Sequence, residues 1–99
     1  MGDRLRELKE ATAAALLRGP GSSPAELRQA CARGEAPAEL RALVEKIQRH
    51  AYEVTDADLE ALRAKYSEAE VFEIIAAAAF GAADRRLAAG LRALEEACG

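Results

Sequence analysis

An all-α fold is what this sequence of 99 residues predicts. Three observations carry that expectation. No stretch alternates apolar and polar residues with the two-residue period of a strand. Apolar side chains return instead at helical spacing between sharply marked stops and starts. No proline follows Pro37, so nothing breaks the long C-terminal stretch.

The first helix is expected over 3–18. Leu5, Leu8, Thr12 and Leu16 form one stripe, and most charges of that stretch fall elsewhere. Arg18 suits its negative end, and Gly19-Pro20-Gly21 stops it. A short second helix follows over about 24–33, with Ser23 as cap, Pro24 in the first turn and Glu26 as reciprocal acceptor. Gly34 closes it. Pro37 opens the third helix, with Glu39 near its positive end and Leu40, Leu43, Val44, Ile47 and Ala51 as its buried face. Thr55 and Asp58 predict a capping box for a fourth helix, Val54 its staple, and Leu59 and Leu62 its inward side. Ser67 and Glu70 repeat that signal for the last helix.

The last helix runs to the end of the chain. Gly81 and Gly90 weaken it without ending it. Val71, Phe72, Ile74, Ile75, Phe80, Leu87, Leu91 and Leu94 supply its apolar side. Roughly 30 residues would span about 45 Å, more than a globule of this size is wide. Its second half therefore needs a partner, either the N-terminal helix or a second subunit. The organisation expected is an N-terminal helix with its Gly-Pro linker over 1–22 and one helical domain over 23–99.

Half the residues are apolar and about a third charged, the balance of a chain that folds. The net charge is −3, with basic and acidic residues interleaved, so no positive face for nucleic acid is expected. The opening MGDRLRELKE has no apolar core, and the run EVFEIIAAAAFGAAD is too short to span a bilayer. The expectation is a cytoplasmic, reducing setting with no membrane partner and no cofactor. Cys31 and Cys98 are far apart in sequence and make no disulfide framework.

The phrase VTDADLEALRAKYSEAEVFEIIAAAAFGAADRRLAAG resembles the core of the carboxymuconolactone decarboxylase and alkylhydroperoxidase-like superfamily. There an L-x-A-x-x-x-S-x-x-E phrase leads into a long alanine-rich helix. The matching positions run from Leu62 through Ser67 and Glu70 to Phe72, Ile75 and Arg86, within residues 40–95. The resemblance implies a helical fold and a homo-oligomer built from trimers. Members with peroxidase activity carry Cys-x-x-Cys followed by His. Those positions fall at about Ala51, Val54 and Asp58, so the dithiol motif is missing.

The candidate catalytic residues are His50, Glu73 and Arg85. His50 is the one histidine of the sequence, near Tyr52 and Glu53. It reads either as a helix-end or interface residue or as a general base in a pocket near Glu73. Glu73 lies among Phe72 and Ile74, either paired or facing a small cavity. Arg85 and Arg86 read first as salt-bridging groups toward a neighbouring helix, with Asp84 beside them, and second as an anion-binding pair. Tyr66 and Phe80 read as core or interface aromatics. Asp56 and Asp58 suit a first helical turn and require no metal. Gly81 among alanines predicts a close helix approach. Two function classes remain: a non-catalytic helical homo-oligomer, and an enzyme of this fold, lactone decarboxylase-like or peroxidase-like, acting through His50 and Glu73. The sequence identifies no small-molecule ligand.

Overall fold

The computed structural model describes residues 2–98, and among them five α-helices and no strand. The side chains of Leu5, Tyr52 and Cys98, and the expectations placed on them, lie outside the described residues. Helix α1 (Gly2–Ala13) continues into a wider π-helical turn, Ala14–Arg18. Then come α2 (Ala25–Arg33), α3 (Ala38–His50) with a 3-10 turn at Ala51–Glu53, α4 (Asp56–Arg63) and α5 (Glu68–Cys98). No helix among the described residues is long and apolar enough to cross a membrane.

The local signals explain most boundaries. Gly34 ends α2 at φ 78°, in the left-handed region where a Cβ is unfavourable. Its N–H reaches Cys31 O at 3.1 Å and the next N–H reaches Ala30 O at 2.9 Å, which closes the helix end. The Thr55–Asp58 capping box forms, with Thr55 N–H to Asp58 Oδ2 at 2.9 Å. Lys46 adds an ion pair to Asp58 at 3.0 Å and so ties α4 to α3. Asp58 is held below the usual carboxylate range, first by the Thr55 N–H and then by Lys46. Ser67 and Glu70 exchange bonds of 3.0 and 3.1 Å at the start of α5. Glu39 accepts from Tyr66 Oη and, at 3.1 Å, from Lys65, which fixes the α4–α5 loop to the first turn of α3. That bond to Glu39 pushes the Tyr66 phenol up to about 12.

The core lies where α2, α3 and α4 meet the first half of α5. Leu40, Ile74, Val44 and Cys31 are fully enclosed, with Leu43, Ile47, Leu62, Val71 and Ala78 around them. Each of the larger aliphatic side chains contributes about 1.5–3 kcal/mol by leaving water. α2 and α5 approach each other at Ala32 and Gly81, and the buried residues of α5 on either side of Gly81 are small: Ala77, Ala78 and Ala82. A Cβ at Gly81 would stand 2.0 Å from Ala32 O, inside any real contact. The close approach expected at Gly81 is present, and the helix that makes it is α2 of the same chain.

Three expectations are corrected. Ser23 does not cap α2: the helix starts at Ala25 behind Pro24, with no side-chain cap, and Ser23 is engaged by Glu73 of α5. Ala51 belongs to the exposed 3-10 turn, not to the buried face of α3. Phe72 is 72% exposed, because it points away from the face that carries Val71 and Ile74. On α1, Leu8 is 60% exposed and Leu16 half-buried.

Candidate functional site

The three candidate catalytic side chains occupy different surroundings. Glu73 and Arg85 both belong to α5, twelve positions apart in sequence and so about 18 Å apart along the axis. His50, exposed at the end of α3, borders a shallow surface cleft with Lys46, Arg49 and Glu53. Arg85 borders a separate cleft beside Phe80 and Asp84.

Glu73 has a clear structural role. Its carboxylate accepts the N–H of Ser22 and the N–H of Ser23, each at 2.8 Å, and the Ser23 hydroxyl. The positive end of the chain segment leading into α2 thus closes on one carboxylate of α5. Those donors, the Ser23 hydroxyl first, hold the Glu73 carboxyl down at about 2, with a further contribution from Arg28. Lowered in the folded state, it stabilises the fold fully above the ordinary glutamate value near 4.5, and that contribution is lost as pH falls toward 2. Glu73→Gln is therefore expected to unfold at lower denaturant than the native chain at pH 7. The gap should narrow steadily between pH 4.5 and 2. A gap independent of pH in chemical denaturation would count against this role.

Arg28 completes the same clasp. It is almost fully buried on α2 and donates through Nη1 to Leu16 O at 2.7 Å and through Nη2 to Gly19 O. Gln29 donates to Leu17 O at 3.1 Å. These are carbonyls that the C-terminal turn of a helix leaves without partners. Three further side chains donate to backbone carbonyls. Gln48 of α3 shares its amide among Cys31 O, Ala32 O and Ala78 O, each at 3.1 Å. Arg85 donates to Ala32 O at 2.8 Å and Arg86 to Gln48 O at 2.7 Å. The arginine pair of α5 reaches neighbouring helices, as expected, but meets carbonyls at their ends where salt bridges were expected. Asp84 faces Lys9 of α1 at 3.2 Å.

Sequence reasoning passed over Arg28 and Gln48. A signal for both was present. Arg28 precedes buried Cys31 by three positions and Ala32 by four; Gln48 follows buried Val44 by four. Each thus stands on its helix's buried stripe, where an unpartnered polar group would be costly.

Cys31 is a free thiol with no exposed surface, and burial raises its pKa. A raised thiol holds less thiolate at neutral pH and is a poor nucleophile. Among the described residues no group of three or more His, Cys, Asp and Glu side chains is placed to hold a metal ion. Compared with known proteins, the chain matches no family model, no curated protein and no solved structure.

Proposed function

We propose that this chain is a helical module of the carboxymuconolactone decarboxylase and alkylhydroperoxidase-like type that works as a homo-oligomer, without dithiol peroxidase chemistry. The observation that carries this reading is the unfinished second half of α5. No described residue of α5 after Ala82 is buried, and Leu94 is 60% exposed. Leu87, Leu91 and Leu94 follow one another at helical spacing along a tail of about 18 Å. The radius of gyration is 14.9 Å, against about 13 Å for a compact domain of this length. A second unfilled surface lies on α1, where Leu8, Ala11, Ala15 and Leu16 border an open apolar groove. A second copy offers both surfaces at once, so each groove finds a tail and each tail a groove. Trimers or their multiples are the stoichiometry the resemblance implies.

Sedimentation velocity at low micromolar concentration tests the assembly. The native chain should run as an oligomer and Leu91→Asp as a monomer, because a carboxylate placed in an apolar seam costs several kcal/mol. A native chain that is monomeric throughout the range refutes the reading.

The absence of dithiol chemistry is supported by the inaccessible Cys31 thiol and by Ala51, Val54 and Asp58 at the positions the motif would occupy. Hydroperoxide consumption with a thiol reductant should be the same for the native chain and for a variant with both cysteines replaced by serine. Turnover confined to the native chain would move the protein to the enzyme class. The enzyme reading through His50, Glu73 and Arg85 gains no support from geometry, since the oxygens of Glu73 are engaged by the segment before α2.

A further inference from the structure

A cleft of about 520 Å³ opens between the last turn before Gly19, the outer face of α2 and the middle of α5. Its floor is bare of large side chains, because Gly81 and Ala32 bring the two helices together there. Leu17 and Phe80 supply apolar walls. Three guanidinium groups border it, Arg18, Arg33 and Arg85, each from a different element. One carboxylate, Asp84, stands among them and already faces Lys9 at 3.2 Å. The lining is thus positive on a chain whose net charge is −3.

We propose that this cleft binds a small amphipathic anion, a single carboxylate carried on a flat apolar body. The volume lies within the range of small-molecule sites. The apolar body would rest on Phe80, Leu17 and the Gly81–Ala32 floor. The carboxylate would take guanidinium N–H donors at the rim, where arginine offers a paired fork. Arg33 gives only Nε to Glu35, at 3.1 Å, and Arg85 gives Nη1 to Ala32 O, so their forks keep further donors. Arg18 and Arg33 meet Glu10 and Glu35 on the open surface, where ion pairs are weak and exchange readily for a better-placed anion. A cation of the same shape would meet three like charges. Inorganic phosphate would meet the charges but leave the apolar walls unused.

The test is titration of the ¹⁵N-labelled chain with 1-naphthoate, with 1-naphthylmethylammonium of matching shape, and with inorganic phosphate. Naphthoate should saturate with Kd at or below about 1 mM, moving the amides of Ala32, Phe80 and Gly81. The ammonium should not saturate, and phosphate should bind at least tenfold more weakly. Arg85→Gln also removes a bond to α2, so the decisive variant is Arg18→Gln with Arg33→Gln, two exposed residues outside the core. It should weaken naphthoate binding about tenfold with the circular dichroism spectrum unchanged. Equal binding of the ammonium, shifts centred elsewhere, no saturation, or an unaffected double variant would each overturn the proposal.

Discussion

Gly81→Ala lowers the stability of the domain by about 3 kcal/mol, at the upper end of what overpacking commonly costs. The added methyl would stand 2.0 Å from Ala32 O and 2.6 Å from Ala32 C. Both are backbone atoms, so no side chain can turn aside to make room. Relief requires α2 to move off α5, and α2 carries Cys31 and Ala32 into the core. The same substitution at Gly90 has the opposite sign. A Cβ there meets nothing within 4 Å, and the residue is exposed inside α5. Alanine is the better helix former, so Gly90→Ala stabilises by about 0.5–1 kcal/mol. Urea unfolding of the two variants beside the native chain measures both. A Gly81→Ala protein as stable as the native chain would mean that α2 does not pack on α5 as described.

The contrast between the two glycines marks how far the sequence reaches. Gly81 among alanines reads as a close-approach site, but no local feature says which helix approaches. A stop, a cap or a periodic stripe is written within a few residues, because it depends on local backbone chemistry. The capping boxes at Thr55–Asp58 and Ser67–Glu70 are of this kind, and both form. The core positions Leu40, Leu43, Val44, Ile47, Ile74 and Leu62 follow from periodicity alone. Which surface each helix meets is a non-local question. Phe72 stands beside buried Val71, yet it lies open because α5 is covered on one side only.

Ser23 shows the same limit more sharply. Ser-Pro-x-Glu is sound local evidence for a cap, and the helix does begin there. The serine is nevertheless taken by a carboxylate fifty residues away. Pro24 occupies the cap position, one residue later than a Ser23 cap requires, and the Ser23 hydroxyl donates to a carboxylate that also receives two backbone N–H groups. Glu73 stands out in the sequence as a carboxylate amid apolar residues, but its partners lie in the linker, where no spacing argument reaches.

Arg28→Met is expected to destabilise the chain by about 3 kcal/mol and to loosen α1 before the rest. Methionine fills much of the arginine's volume, so the loss is mainly polar. Leu16 O and Gly19 O lose their donors, and Glu73 loses a nearby positive charge. Arg28→Lys restores the charge but not the fork, because one ammonium cannot reproduce the geometry by which two guanidinium nitrogens reach Leu16 O and Gly19 O. It should recover only part of the loss. The stronger test is where the loss appears. The turn Ala14–Arg18 packs on α2 and α5, and Arg28, Gln29 and Glu73 hold it there together with the linker. Hydrogen exchange in Arg28→Met should therefore quicken first over residues 2–18, while the amides around Leu40 and Ile74 stay protected. Because Arg28 and Glu73 act on one clasp, Arg28→Met combined with Glu73→Gln should cost less than the two separately. Additive losses, or exchange that quickens uniformly, would show that the N-terminal helix is held by something other than this clasp.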